Sequence, residues 1–309
     1  MKRYRDFNSY LKQMFGERVQ KISLDAGLGC PNRDGTISTK GCIFCDRRGS
    51  GTGALMDHGL SIDEQITQAR RFIQTRYGAK KFIAYFQSFT NTYAPLPRLK
   101  ALYDVALAYQ DIVGLSVATR PDCVTVDSLR LLSSYTKDHL VWIEYGLQSA
   151  HDKTLTLINR GHDVACFQRS VLMANEFGLN TCAHVILGLP GENREMLLHT
   201  ARFLSSLPIQ AVKIHLLYVV RGTELAAIYE RGELRCLEQE EYADLVVDFL
   251  ELLDPEIVIQ RLTGDPVKSE LVAPSWAKEK SASLRLIKET LDRRNTWQGR
   301  MYRRSTAGR

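Results

Sequence analysis

The segment KFIAYFQSFTNTYAPLPRLKALYDVALAY, residues 81–109, joins a short apolar run, a polar loop and an amphipathic stretch. Apolar and aromatic side chains dominate Lys81–Phe86, which favours a buried strand. Apolar residues recur at helical spacing in Leu96–Tyr109, which favours a helix packed on that strand. The segment therefore predicts one strand–loop–helix unit, and such units in series build a parallel sheet covered by helices.

The same alternation continues from about residue 20 to residue 260. SIDEQ, residues 61–65, opens the first helical stretch with a Ser61 cap and Glu64 three residues later, the capping-box pattern. The alternation predicts an α/β fold, either an open doubly wound sheet or a barrel, and both place chemistry at the carboxyl ends of the strands. The predicted strands are Gln20–Leu24, Lys81–Phe86, Val113–Ala118, Leu140–Tyr145, Thr181–Leu187, Ala211–Leu217 and Ile257–Gln260. The predicted helices are Asp63–Tyr77, Leu96–Tyr109, Val126–Tyr135, Cys166–Phe177, Arg194–Leu207 and Glu240–Leu252.

Composition indicates a globular protein that does not span a membrane. Of the 309 residues, 44% are hydrophobic and 25% are charged. The first twenty residues contain no apolar core of the kind that a secretory signal needs, and the run Ile214–Val220 is too short to cross a bilayer. We therefore expect a cytoplasmic protein.

Positive charge is concentrated at the carboxyl-terminal end of the chain. Residues 266–309 contain eleven Lys or Arg against four Asp or Glu, whereas the whole chain carries a net charge of +6. This asymmetry predicts a polyanionic partner, and the alternative is a solvated, partly disordered basic tail. We expect a core in residues 1–265, including an N-terminal lead-in, followed by a basic extension in residues 266–309.

Three of the seven cysteines lie in one loop directly after the first predicted strand. Cys30, Cys42 and Cys45 have the spacing C-x11-C-x2-C. Three thiolates are one short of a closed four-ligand site, and the nearest histidine, His58, lies beyond a glycine-rich stretch. The loop predicts either a 4Fe-4S cluster with one open iron or a zinc site completed by a distant histidine. The other four are expected to be small buried hydrophobic residues: Cys123, Cys166, Cys182 and Cys236.

The loop resembles that of radical S-adenosylmethionine (radical SAM) enzymes. These enzymes carry three cysteines after the first strand of a (βα) barrel and an aromatic residue before the last cysteine, here Phe44. The wide first spacing is similar to the branch that contains the elongator catalytic subunit and the YhcC/YtqA family. The resemblance implies a partial (βα)6-type barrel that binds a 4Fe-4S cluster and S-adenosylmethionine. It also implies reductive cleavage of S-adenosylmethionine to a 5′-deoxyadenosyl radical.

The resemblance extends to side chains that follow later strands. Gln87 and Ser88 stand where relatives carry the glycines that receive the methionine amino group. His184 begins HVILGLPGE, which resembles the segment at the adenine. The resemblance therefore implies these cofactor-binding residues: Phe44, Gln87, Ser88, Glu144, Gln148, Arg160 and His184.

The substrate is indicated less directly. Lys213 and His215 alternate on a late strand and are expected to point into the barrel as substrate contacts, and Arg261 follows the last predicted strand. The YhcC/YtqA resemblance implies a transfer RNA substrate, with 5-carboxymethylaminomethyluridine converted to 5-aminomethyluridine at the wobble position. It also implies an electron donor such as flavodoxin or ferredoxin. The alternatives are a radical SAM enzyme acting on a small metabolite and a non-catalytic iron–sulfur or zinc protein that binds nucleic acid.

Overall fold

The computed structural model describes residues 2–49 and 59–303, so His58 and Arg304 lie outside the described residues. All predicted strands and helices are present, and their ends differ from the predicted ones by no more than three residues. The strands are β1 Val19–Leu24, β2 Lys81–Phe86, β3 Ile112–Thr119, β4 Leu140–Gln148, β5 Asn180–Leu187, β6 Ala211–Leu216, β7 Val219–Val220, β8 Val258–Arg261 and β9 Leu271–Ala273. The helices are α1 Phe7–Phe15, α2 Ile62–Tyr77, α3 Leu96–Leu107, α4 Val126–Ser134, α5 Asp152–Leu157, α6 Val164–Glu176, α7 Arg194–Ser205, α8 Glu224–Glu230, α9 Gln239–Leu252 and α10 Lys280–Arg293.

Seven strands form one parallel sheet in the order β1-β2-β3-β4-β5-β6-β8. The sheet curls into a partial barrel, which confirms the predicted fold class. No strand ladder joins β1 to β8 among the described residues. The two edges nevertheless come within side-chain reach, since Lys21 Nζ on β1 donates to Gln260 Oε1 on β8 at 2.8 Å. The curled sheet therefore encloses an interior between its two edges.

Helix α1 covers the amino end of this interior. Phe7 and Tyr10 pack edge-on against Trp142 of β4, with ring centroids 5.9 and 6.1 Å apart. Asp6, directly before α1, forms a β-bridge with Ile259 of β8, so the start of the helix is fixed to the last strand of the sheet. Aromatic side chains therefore pack across the amino end of the interior.

The local sequence signals agree with the observed elements. Ser61 Oγ accepts from Glu64 N, and Ser61 N donates to the Glu64 carboxylate at 2.8 Å, so the predicted capping box is present at α2. In β6, Val212 and Ile214 pack in the main core, whereas Lys213 points into the barrel interior. The period of two therefore directs the polar residues of this strand inward, as predicted.

Residues 266–303 pack onto the barrel. Strand β9 pairs with β7, and Ile287 and Leu291 of α10 are buried in the main core cluster. Beyond α10, Gln298 Nε2 donates to the carbonyl oxygens of Asp254 and Ile257, both at 2.8 Å. The basic segment is thus folded at least to residue 303, and the domain boundary at residue 265 stays a prediction. The sequence did not predict the short elements α1, α5, α8, β7 and β9, nor α10.

No helix in residues 2–49 and 59–303 is both long enough and apolar enough to cross a membrane.

Candidate functional site

A cleft opens at the carboxyl ends of the strands, beneath the loop that follows β1. It contains about 1190 Å³ of empty space, including its part open to solvent. Its rim contains Cys30, Cys42 and Cys45, and its floor contains Glu144 and His184 of the barrel interior. The structure therefore brings together in one cleft the cysteines and most of the side chains predicted from separate strands.

The cysteine loop is fastened to the connection between α5 and α6. Asn32 Nδ2 donates to Asn159 O at 2.7 Å, and Asn159 Nδ2 donates to Gly41 O at 2.6 Å. Ile43 N donates to Ile158 O at 3.1 Å. Asn159 has a φ of 51°, a left-handed conformation that asparagine tolerates better than most residues. These bonds hold the cysteines over the carboxyl end of β4.

The three thiols are not gathered as closely as the ligands of a single zinc ion would be. The structure describes all three, and their Sγ atoms do not all lie within 4.8 Å of one another. Three thiolates on one zinc ion, with bonds of about 2.3 Å, would lie about 3.8 Å apart. Cys42 Sγ also accepts from Arg160 Nη1 at 3.5 Å and from Asn32 Nδ2 at 3.6 Å. Donors aimed at a sulfur stabilise a thiolate and the negative charge of a thiolate-bound cluster.

Arg160 connects the cysteine loop to the sheet. Its Nε and Nη2 donate to Gly146 O of β4 at 3.1 and 2.7 Å, while Nη1 reaches Cys42. A Cβ added at Gly146 would lie 2.5 Å from Arg160 Nη2 and 2.7 Å from Gln148 Nε2. Glycine at 146 is therefore what allows both predicted cofactor residues to occupy the edge of the cleft.

Arg120 was missed by the sequence reasoning, although it directly follows β3. It is only 2% exposed. Nε and Nη2 form a fork with Asp122 at 2.9 and 2.7 Å. Nη1 is buried and finds no hydrogen-bond partner within residues 2–49 and 59–303. Interaction with Asp122, and to a smaller degree with Cys42 and Cys30, raises the pKa of Arg120 against the effect of burial. Its position directly after a strand of a parallel sheet is the sequence signal that places Arg120 at the cleft.

The backbone at the rim of the cleft adopts unusual conformations. Phe89, after β2, has a φ of 60°, and Gln148, at the end of β4, has a φ of 77°. Gln148 also follows a register shift between β4 and β5. Such conformations and bulges concentrate at functional sites, where they redirect side chains. Both residues line the cleft.

The other predicted residues after β2 lie at different depths. Gln87 lines the cleft and accepts from Ser23 Oγ at 3.0 Å. Ser88 is fully buried, and its carbonyl oxygen accepts from Asn91 Nδ2 at 2.9 Å. Phe44 lines the cleft and packs against the small core cluster beneath the cysteine loop.

Glu144 lies at the centre of the barrel interior, with 0% exposure. Its Oε1 accepts from Lys21 Nζ at 2.5 Å and from Ser116. Its Oε2 contacts His184 Nε2 at 2.7 Å and accepts from Lys213. Four side chains from β1, β3, β5 and β6 thus converge on one carboxylate.

The network shifts the pKa values of its members. Burial alone would raise the pKa of Glu144, but Lys21 and Lys213 hold it well below its usual range. Burial lowers the pKa of Lys213 to about 7, against the opposing effect of Glu144. Burial, together with Lys213, lowers the pKa of His184 to about 4 despite its contact with Glu144. The floor of the cleft therefore carries an ionised glutamate beside a neutral histidine.

Glu144, Cys182 and His184 place potential ligand atoms within 4.8 Å of one another. Both oxygens of Glu144 are nevertheless engaged by lysine ammonium groups. A metal ion at this point would be repelled by the ammonium groups of Lys21 and Lys213 unless it displaced them. The three residues therefore fit a hydrogen-bond network rather than a metal centre.

The basic carboxyl-terminal segment presents both buried and exposed groups. Trp276 Nε1 donates to Leu237 O at 3.0 Å and its ring packs on Tyr242, so this tryptophan anchors the fold. Trp297, by contrast, is 48% exposed, and Arg300 lies over its ring at 5.3 Å. Trp297 and Arg300 thus form an exposed surface that is both cationic and aromatic.

Comparison with protein families finds two models that together span most of the chain. The model described as "Radical SAM superfamily" matches residues 27–204. The model described as "Radical_SAM C-terminal domain" matches residues 209–293.

The chain is similar over most of its length to two bacterial proteins. It is 40% identical to YtqA of Bacillus subtilis over 306 residues, covering 98% of this chain and 94% of YtqA. It is 38% identical to YhcC of Escherichia coli over 275 residues, covering 89% of this chain and 87% of YhcC.

More distant similarity is limited to part of the chain or to the fold. A tRNA uridine(34) acetyltransferase of Methanocaldococcus infernus is 29% identical over 137 residues, which is 43% of this chain and 25% of that enzyme. The solved structure of Elp3 from the same organism superposes with a TM-score of 0.70 at 16% identity, covering 91% of this chain and 64% of that one.

Proposed function

The chain belongs to the radical SAM superfamily, and from this premise we propose that it modifies the side chain of a wobble uridine in transfer RNA. The reaction proposed is conversion of 5-carboxymethylaminomethyluridine to 5-aminomethyluridine, in which the bond between the amine nitrogen and the carboxymethyl carbon is broken. Two-electron oxidation of that carbon to an imine, with S-adenosylmethionine as the oxidant that yields methionine and 5′-deoxyadenosine, and addition of water would release the carboxymethyl group as glyoxylate. That the protein is a radical SAM enzyme with a 4Fe-4S cluster and S-adenosylmethionine follows from the family itself. The substrate and the residue roles are the parts proposed.

The residues at the rim of the cleft suit the two cofactors. We assign cluster binding to Cys30, Cys42 and Cys45 because their thiols share one cleft with arginine donors. When bound, the cluster and S-adenosylmethionine supply an electron and a 5′-deoxyadenosyl radical that removes a hydrogen atom from the substrate. The residues proposed to hold S-adenosylmethionine line the same cleft: Phe44, Gln87, Gln148 and Arg160.

The remaining predicted cofactor residues receive a positioning role. Glu144 and His184 line the floor and contact each other, and Glu144 also pairs with two lysines, so we assign them the positioning of the side chains at the floor of the cleft. Ser88 is buried next to Gln87, and we propose that it helps cofactor binding indirectly, by fixing the shape of the loop after β2. Lys213 and His215 remain the proposed substrate contacts, and Lys213 is held between Glu144 and Tyr85.

Similarity to tRNA uridine(34) acetyltransferases is the observation that carries the transfer RNA assignment. That similarity covers less than half of this chain, and those enzymes act on the wobble uridine according to their name. The exposed surface around Trp297 and Arg300 supports the assignment independently, because guanidinium groups contact phosphates and an exposed indole stacks on bases.

Transfer RNA and an electron donor such as flavodoxin or ferredoxin are the proposed partners, and the cytoplasm is the proposed location because both are found there.

The test is a comparison of nucleosides in bulk transfer RNA from cells with and without the gene. Deletion should cause 5-carboxymethylaminomethyluridine to accumulate and 5-aminomethyluridine and nucleosides made from it to decline. The anaerobically reconstituted enzyme, given S-adenosylmethionine and a reductant, should then convert the accumulated nucleoside within that transfer RNA. Unchanged nucleosides in the deletion strain, together with S-adenosylmethionine cleavage by the purified protein, would instead assign a small-molecule substrate.

A further inference from the structure

Arg261, at the end of β8, is a half-buried cation in the floor of the cleft. Its side chain lines the cleft beside His215 and Tyr218. Among the described residues, no carboxylate forms an ion pair with its guanidinium and no group accepts a hydrogen bond from it. Removal of a guanidinium from water without a compensating anion costs free energy, so an anion bound beside Arg261 would offset that cost.

A bulge in the sheet directs Arg261 into the cleft. The register between β6 and β8 shifts after Val212, so that Lys213 pairs with Arg261 instead of Gln260. Gln260 and Arg261 consequently both face the interior, because Gln260 bonds to Lys21 while Arg261 lines the cleft. Bulges next to active sites commonly redirect a side chain in this way.

His215 adds a second unsatisfied donor or acceptor at the same place. Its Nε2 is buried and has no hydrogen-bond partner in the described part of the chain. Its ring centroid lies 5.5 Å from that of His184, which bonds to Glu144. Burial, and then the neighbouring Arg261, hold the pKa of His215 well below its usual range, so the ring is neutral and its Nε2–H tautomer can donate.

The charge balance of the floor also favours an anion. Among the described residues that line the cleft, Glu144 is the only carboxylate, and Arg261 lines the same cleft. Both oxygens of Glu144 are used by Lys21 and Lys213, and no described carboxylate forms an ion pair with Arg261. The arginines near the cysteines have other partners: Arg160 bonds to Gly146 and Arg120 to Asp122.

We propose that Arg261 and His215 form a subsite for the carboxylate of the substrate, with the guanidinium fork of Arg261 as its main contact. The inference rests on the proposed function, in which the uridine side chain ends in a carboxymethylamino group. Gly264 leaves room for the Tyr218 ring, which lines the cleft beside Arg261, since a Cβ at position 264 would lie 2.6 Å from that ring. The subsite would therefore select a carboxylate over a neutral end group.

The test measures binding to the reconstituted holoenzyme by equilibrium dialysis, with S-adenosylhomocysteine in the cofactor position. The probes are free 5-carboxymethylaminomethyluridine and the same nucleoside with its carboxylate replaced by a carboxamide. The wild type should prefer the carboxylate about tenfold or more, as expected for hydrogen bonds to a charged group. Arg261→Gln should abolish the preference, and Arg261→Lys should keep part of it because the charge remains while the fork is lost.

Two further measurements on Arg261→Gln identify the anion. Its iron content, melting temperature and S-adenosylmethionine affinity should equal those of the wild type, since no folded-state partner is lost. The exposed Arg130→Gln variant is the control for removal of one positive charge. Weaker S-adenosylmethionine binding in Arg261→Gln with an intact nucleoside preference would show that the cofactor carboxylate is the anion. Equal loss of affinity for modified and unmodified transfer RNA would indicate a phosphate, and either result overturns the subsite.

Failure of the subsite and failure of the proposed function give different results. A wild-type enzyme that converts the nucleoside in transfer RNA but binds both probes equally would refute the subsite alone. A deletion strain with unchanged nucleosides would refute the transfer RNA assignment, whereas an Arg261-dependent preference for the carboxylate probe would still establish the subsite.

Discussion

Arg160 shows how one side chain can join two parts of the site. Its guanidinium holds the carbonyl oxygen of Gly146 in the sheet and the sulfur of Cys42 in the loop. Glu144 plays the corresponding part in the barrel interior, where it holds two lysines. In both cases the local geometry leaves little freedom, so single substitutions have clear expected outcomes.

Gly146→Ala should weaken S-adenosylmethionine binding about tenfold while iron content is retained. The new Cβ would lie 2.5 Å from Arg160 Nη2, so the guanidinium must leave its place beside Cys42. Equilibrium binding on the reconstituted protein measures the effect, and Arg160→Ala should reproduce it. Gly29→Ala is the matched control, because a Cβ there meets nothing within 4 Å. Unchanged cofactor affinity in Gly146→Ala would contradict the role assigned to Arg160.

Glu144→Gln should destabilise the protein by about 3–5 kcal/mol at neutral pH, since Lys21 and Lys213 would be left in the interior without a carboxylate. Denaturant unfolding measures this change. Glu289→Gln, which removes an exposed carboxylate paired with Arg285, should cost less than about 1 kcal/mol. A loss of similar size in both variants would show that the buried network does not stabilise the fold.

The same carboxylate predicts a pH dependence of stability. The pKa of Glu144 lies well below its ordinary value of 4.5 in the folded protein, so the unfolded chain binds its proton more readily. Its contribution is therefore complete above about pH 4.5 and is lost as the pH falls toward the folded pKa. The free energy of unfolding of the wild type should fall more steeply below pH 4.5 than that of Glu144→Gln. Parallel curves for the two proteins would disprove the shift.

Helix α10 and the turn after it divide their arginines between two tasks. Arg294 donates to Asp248 at 2.7 Å and to Glu251 at 3.1 Å, both of which belong to α9. Arg300 and Arg303 are exposed, and Arg300 lies over Trp297. High charge along α10 hid an apolar stripe that includes Ile287 and Leu291. One face of this segment thus binds the barrel, and the residues beyond it are available to a polyanion.

The double variant Arg300→Gln and Arg303→Gln should have a lower affinity for transfer RNA. The slope of log affinity against log salt should become shallower by up to about 2, because fewer counterions are released when fewer phosphates are contacted. Filter binding over a range of salt concentrations measures both quantities. Uncoupled S-adenosylmethionine cleavage should be unaffected. The matched control removes two exposed arginines of α2, Arg71 and Arg76, and should leave the salt slope unchanged. Equal slopes for all three proteins would exclude this surface.

The barrel and the carboxyl-terminal segment share one hydrophobic core. Ile287 and Leu291 belong to the same cluster of buried residues as Ile22 of β1 and Val212 of β6. Gln298 bonds to the turn between α9 and β8, and β9 pairs with β7. A domain needs a core of its own to fold alone, so these contacts bear directly on the boundary predicted at residue 265.

A chain ending at residue 265 should therefore fail to unfold cooperatively, because α9 and β8 would expose the surfaces that the segment covers. Thermal unfolding followed by near-ultraviolet circular dichroism is the measurement, with the full chain as reference. A truncated protein with a sharp transition close to that of the full chain would establish residues 1–265 as an independent domain.

The amino-acid sequence by itself determined the parallel α/β architecture, the cysteine loop and the placement of polar residues at the strand ends. These features follow from patterns of short range, namely a period of two in strands, a helical period between them, and residues adjacent to each strand end. Only the tertiary structure decided which side chains meet. Lys21 and Gln260 are 239 residues apart and become neighbours because the sheet curls. The orientation of Arg261 depends on a bulge between two strands, and the partners of Glu144 come from four strands. No local pattern encodes such contacts, since they arise from closure of the barrel and from the register of strands distant in sequence.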